Sequence, residues 1–161
     1  KQGNAKYIGV FNNDVIFRKN WCSILINKNY DSASPISTTV QQQSEDQLGW
    51  RTGKELLGWA LFFKREEVYK KIGELDECVS FWFSDDCYGE QIKTQGIKHY
   101  LCVSSRVDHL DNSNTLKTMS KETIDNFTKE QTKIFNEKYK RNKFGKNPEY
   151  EQNEIKFLNN E

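Results

Sequence analysis

The chain has 161 residues and 19.0 kDa, room for one ordinary domain with a sizeable core and too little for two. Lys and Arg number 24 against 23 Asp and Glu, which argues against a nucleic-acid binder working through bulk basic charge and against a charged disordered tail. A mean hydropathy of -0.87 without any long apolar run excludes a membrane-spanning helix.

From Lys1 the chain runs almost at once into Tyr7–Phe11, a nearly continuous apolar run that reads as a buried strand. So abrupt a start leads us to expect a piece of a longer polypeptide. The strand stops at Asn12-Asn13-Asp14, residues that favour turns. Residues 20–27 read as a short helix with Trp21, Leu25 and Ile24 facing inward. Residues 31–57 are rich in Ser, Thr and Gln and weakly periodic, which predicts an extended segment followed by a mobile loop. A strand is expected at 58–63 and a helix at 64–72, stopped by Gly73. Ser84 is expected to cap a helix over 85–95 that ends at Gly96. Another strand is expected at 97–104, leading to Val107-Asp108-His109. Ser120 then opens a long amphipathic helix in which Ile124, Phe127, Ile134 and Phe135 share a face. Residues 146–161 are Asn/Glu/Lys-rich, which leads us to expect a loosely held tail. Strands alternating with helices indicate an α/β domain.

Four cysteines (Cys22, Cys78, Cys87 and Cys102) show no C-x-x-C pairing and no nearby His pair. They read as reduced thiols of a cytoplasmic protein rather than as a zinc site.

Three polar clusters could carry chemistry. Asp14 of Asn12-Asn13-Asp14 sits at the carboxyl end of a strand, where α/β sheets bind ligands. A carboxylate there could ligate Mg²⁺ or Mn²⁺ together with a phosphate, although a plain Asn/Asp turn needs no ligand. Asp85 and Asp86 open a helix, where the dipole alone stabilises carboxylates by roughly 0.3–1 kcal/mol each. One of the two could instead be a general base, and adjacent side chains cannot both point the same way. His109, in Val-Asp-His-Leu after a strand, could be a satisfied structural residue, as a single His more often is, or a ligand beside carboxylates for a metal of the Mn²⁺ class, whereas His99 lies within the strand and reads as structural.

The order of these pieces carries a resemblance. A strand ending in Asn-Asn-Asp is followed by Gly58-Trp-Ala-Leu-Phe-Phe-Lys-Arg, Ile72-Gly-Glu-Leu-Asp-Glu, Ser84-Asp-Asp, and His109 with Ser113 after it. Phe135-Asn-Glu-Lys138-Tyr139 and Phe144-Gly145 follow near the end. Together, over about residues 5–145, this resembles the second half of a family 2 glycosyltransferase domain of the GT-A fold. The resemblance implies a GT-A-like mixed sheet flanked by helices over residues 1–145, lacking the N-terminal nucleotide-binding strands, which would precede Lys1.

It also implies an inverting, metal-dependent transferase that moves a sugar from a nucleotide-sugar donor to an acceptor hydroxyl. Asp14 and His109 would hold the Mn²⁺ or Mg²⁺, and Asn12 and Asn13 would line the donor site. Asp86 would be the base, with Gly58, Trp59 and Asp85 contacting substrate. Two departures stand out, Asp85 where the family has Glu and Tyr88 where it has a second Asp. The acceptor class is open between a carbohydrate, a lipid carrier and a protein. The abundance of Asn and Lys suits an AT-rich bacterial or phage genome. The competing expectation is a non-catalytic, glycosyltransferase-like module that binds sugar or supports a larger assembly. Trp50, Trp59 and Trp82 then stand between sugar stacking and core packing, while Phe62, Phe63 and Phe81 read as core.

Overall fold

The computed structural model describes residues 3–38, 42–80, 82–110 and 118–140. The expectations placed on Phe81, Ser113, Phe144-Gly145 and the 146–161 tail lie outside the described residues. The chain is a mixed α/β structure. Its strands are β1 (Tyr7–Phe11), β2 (Val15–Phe17), β3 (Ser32–Ser37), β4 (Gln47–Leu48), β5 (Ala60–Lys64) and β6 (His99–His109). Its helices are α1 (Trp21–Lys28), α2 (Lys70–Ile72), α3 (Ser84–Thr94) and α4 (Lys121–Lys138). The strands hydrogen-bond in the order β1-β5-β3-β6-β2, and β4 also lies on β6. Only the β3–β6 pair is parallel among these; β1 and β3 are antiparallel to β5, and β2 and β4 to β6. No helix among the described residues is long and apolar enough to cross a membrane.

Alternation along β5 divides the core between the two faces of the sheet. Leu61 and Phe63 join Trp50, Val68, Tyr88 and Ile92 on the α3 side. Phe62 points the other way, to Leu25 and Ala33, with Trp21 and Ile24 of α1 packed over them. The helix face expected for Trp21, Ile24 and Leu25 is therefore the buried one. Asn29 closes α1 in the left-handed conformation (φ 57°), which Asn tolerates better than most residues. α3 ends in a Schellman pair, Gly96 N–H to Lys93 O and Ile97 N–H to Ile92 O, each at 2.9 Å, with Gly96 at φ 64°. Ser120 caps α4 through the Thr123 N–H at 3.2 Å, as expected. On α4 the inward face is carried by Phe135 and Gln131, which are buried, with Ile134 half-buried. Phe135 packs on Val79 and Cys87.

Several boundaries differ from the expectation. β1 is an edge strand, and its residues are half-buried rather than fully enclosed. The helix expected at 64–72 begins as a π-helical turn, Arg65–Tyr69, and only its last three residues are α-helical. Ser84 is not the cap of α3 but its first helical residue; Phe83 occupies the cap position at φ 66°, without a side-chain bond. The strand expected at 97–104 runs on to His109 and takes in Val107 and Asp108.

Residues 31–57 open on an extended segment, as expected, but that segment is β3, the buried middle of the sheet, and the described residues 50–57 are pinned rather than loose. The β3 serines are buried because each hydroxyl finds a partner. Ser32 Oγ lies 2.7 Å from both Tyr88 OH and His99 Nδ1. Ser34 Oγ accepts the Leu57 N–H at 3.0 Å and sits 3.2 Å from His99 Nε2. Downstream, Trp50 is buried and donates its indole N–H to Ile97 O at 2.9 Å. Glu55, also buried, is forked by Arg51 Nε at 3.1 and 3.0 Å.

One irregularity shapes everything that follows. Pro35 faces Cys102 on β6, but the next residue, Ile36, faces Arg106. Val103, Ser104 and Ser105 thus have no register partner on β3, and such an insertion bends a strand. Pro35 suits the break because it has no N–H to give to a ladder. Ser105 anchors the inserted residues by donating to Trp21 O at 2.8 Å. Beyond the bend, β6 pairs with β2, and the two ends of the sheet come together: the rings of Phe11 and Phe17 meet edge-on at 4.9 Å.

Candidate functional site

The turn Asn12–Asp14 joins β1 to β2 and so crosses from one end of the strand order to the other. Asn12 continues the β1–β5 ladder by donating its N–H to Trp59 O at 2.9 Å. On the far side, Val15 faces His109 in the β2–β6 register, and Leu110 N–H reaches Asp14 O at 3.2 Å. These backbone bonds set the Asp14 carboxylate beside the His109 ring, with Oδ1 and Nε2 3.2 Å apart. Both atoms are shielded from solvent, and Asp14 Oδ1, although within ion-pair reach, has no hydrogen bond of good alignment. The Trp59 indole stacks on His109, centroids 4.8 Å apart and planes 7° apart. Its own N–H is buried without a hydrogen-bond partner. Ser37 of β3 accepts the His109 N–H at 3.3 Å.

Asp108, which sequence reasoning left without a role, fixes this end of β6. Its carboxylate takes the Thr38 hydroxyl and the Arg18 guanidinium. Those bonds, Thr38 first, outweigh its burial and hold the carboxyl below the usual range. No spacing in the chain announces the partnership, because Arg18 and Thr38 come from two other strands' ends.

The second expected cluster reaches the same place through Gly58-Trp59. A Cβ on Gly58 would fall 2.6 Å from Asp85 Cβ, so only glycine allows this approach. The structure divides the adjacent carboxylates: Asp85 packs against Gly58, while Asp86 accepts the Thr52 hydroxyl at 2.8 Å. Burial, followed by the charge of Asp86, pushes the Asp85 carboxyl up from the ordinary range. Asp14, His109, Trp59, Gly58 and Asp85 are therefore linked by successive contacts. Asn12 joins them through its backbone, and Asn13 lies in the same turn. Trp50 belongs to the core instead, whereas Trp59 and Trp82 are half-buried.

The donor set Asp14–His109 fits a divalent ion. One carboxylate oxygen and one imidazole nitrogen lie side by side and shielded, two donor types that divalent ions accept.

A second group of ligand-type atoms, from Asp76, Cys78 and Cys87, lies within 4.8 Å of one another. Burial pushes the Cys78 thiol up and the Cys87 thiol to about 12, so both hold their protons at neutral pH. Burial alone would also raise Asp76, but bonds from Lys138, Tyr139 and the Cys78 N–H bring it down to about 2. The cluster is a clasp that holds the end of α4 to the loop before α3. His99 is likewise structural: fully enclosed, it is pushed down by burial to about 3 and stays neutral between its serines.

No family model, curated protein or solved structure matches this chain.

Proposed function

We propose that this chain is the acceptor-side part of an inverting, metal-dependent glycosyltransferase with a GT-A-like fold, using a nucleotide-sugar donor. The observation that supports the reading most is the pair Asp14 Oδ1–His109 Nε2 at 3.2 Å under the Trp59 ring, joined through Gly58 to a carboxylate pushed toward protonation. The reading is supported by Asp14 and His109 lying side by side with Trp59 on the His109 ring and Asp85 against the neighbouring Gly58, whereas Asp86 bonds Thr52.

Asp14 and His109 would hold the divalent ion, which would supply positive charge to the diphosphate leaving group. Asn12 and Asn13 face the donor from the same turn. Trp59 excludes water from one side of the pair and offers an aromatic face and an N–H to a sugar. The acceptor hydroxyl loses its proton to a carboxylate at the start of α3. The resemblance puts that role on Asp86, but Asp85 has the environment of a general base, since a raised carboxyl takes a proton more readily. One base and in-line attack invert the anomeric carbon.

Thermal-shift titration with Mn²⁺ and a panel of nucleotide sugars tests the reading. A ligand at 100 times its Kd should add about 2.7 kcal/mol, several degrees in Tm at this size. The gain should require Mn²⁺ and disappear in Asp14→Ala. A chain that answers to no donor, or an Asp14→Ala variant that answers like the wild type, overturns the donor site. Asp85→Asn and Asp86→Asn, assayed for transfer separately, assign the base to whichever loss is larger.

A further inference from the structure

A cavity of about 300 Å³ opens over the bend in β6. Ile36 and Val103 give it an apolar wall, and Thr38, Gln42, Gln43 and Arg106 give it donors and acceptors. Two of these groups lack a side-chain partner among the described residues. The Arg106 side chain is exposed and makes no ion pair among the described residues. Gln43 Oε1 is shielded from solvent yet accepts no hydrogen bond, the state of a group whose partner comes from outside. The bend produces the pocket, because the same register break that leaves Val103–Ser105 unpaired sets Arg106 opposite Ile36.

We infer that this cavity binds an anionic polyol, a sugar-sized molecule carrying one carboxylate or phosphate. Arg106 supplies a planar fork for the anion. The glutamine amides meet hydroxyl groups in both senses, as donors and acceptors, and the Thr38 hydroxyl, whose proton goes to Asp108, meets them as an acceptor; the aliphatic wall takes the C–H face of a ring. The volume lies at the small end of ligand sites, about 300–1,000 Å³, so it suits a single sugar and not a whole nucleotide sugar. The cavity also adjoins the metal pair. Thr38 is bonded to Asp108, the residue before His109, and Ile36 and Val103 share an apolar cluster with Trp59. The inference rests on the transferase reading only in making the bound molecule the acceptor.

Calorimetric titration of the whole chain in chelator-treated buffer tests it, with glucuronate, glucose 6-phosphate and glucose as probes. At least one anionic sugar should bind saturably and glucose at least ten-fold more weakly. Arg106→Gln should abolish that preference, and Arg106→Lys, which keeps charge without the fork, should retain part of it. Lys129→Gln, at an exposed position on α4, should leave the affinity unchanged, since general positive charge is not what binds. Binding of glucuronate alone identifies a carboxylate site and binding of the phosphate alone a phosphate site; either supports the inference. It is overturned if neither anionic sugar binds, if glucose binds equally well, or if both Arg106 variants bind like the wild type. Should anionic sugars bind while no nucleotide sugar ever shifts the Tm, the transferase reading fails and the pocket stands.

Discussion

The ring of Trp59 lies flat on that of His109, 4.8 Å between centroids, and so sets the plane in which His109 Nε2 meets Asp14. Trp59 arrives from the start of β5 and His109 from the end of β6, two strands that are not hydrogen-bonded to each other. Stacking is the link between them. Partners that orient a metal-binding imidazole typically contribute 10–100-fold to affinity. Trp59→Ala should therefore weaken Mn²⁺ binding by about ten-fold or more, read by electron paramagnetic resonance titration, while Trp59→Phe keeps a stacking face and most of the affinity. Equal Mn²⁺ affinity in the alanine variant would remove Trp59 from the site.

Gly58 and Asp85 form a second close pair with opposite demands on stability and activity. Gly58→Ala drives a methyl group into the Asp85 side chain and should cost about 1–3 kcal/mol in denaturant unfolding, as overpacking does. Asp85→Asn should act the other way. Its carboxyl is raised in the folded chain, so the folded state holds the proton more tightly and loses stability as pH rises from the unfolded value, about 3.9, through the folded one. The variant should have a higher Tm than the wild type at pH 7, with the difference shrinking toward pH 4. A lower Tm at pH 7 would show that the carboxylate is stabilised where it lies.

His99 sets the acid limit. Its ring is held down at about 3 against about 6.5 in the unfolded chain, so the unfolded state binds the extra proton between those values. Stability from this group is complete above about pH 6.5 and falls by up to about 1.4 kcal/mol for each unit of pH below it. Denaturant unfolding from pH 7 to 4.5 should show that slope, and His99→Gln should flatten it while lowering stability at pH 7. An unchanged slope in the variant would assign acid sensitivity elsewhere.

The α/β class, the strand at the centre of the core and the capped last helix were legible because they depend on local pattern. Phe62 and Phe63 alternate, Gly96 ends a helix, and Ser120 opens one. The extended stretch at β3 was legible but its burial was not, since three of its six residues are serines and their enclosure depends on His99, far along the chain, answering the hydroxyls of Ser32 and Ser34. The same holds at the site. Asp14, His109 and Gly58-Trp59 could be singled out by type and order, but that Trp59 covers His109 depends on a bent strand. Arg106 and Gln43 carry no motif at all, and their shared cavity exists only in the folded chain.

The three unpaired residues of β6 also divide the strand mechanically. His99–Cys102 are clamped between β3 and β4 and belong to the core, while Arg106–His109 hang on β2 and the end of β3. The two halves still share one packing unit, because Val103 in the break and Ile36 opposite Arg106 pack with Leu101, so a change of side-chain volume at either is felt in the core.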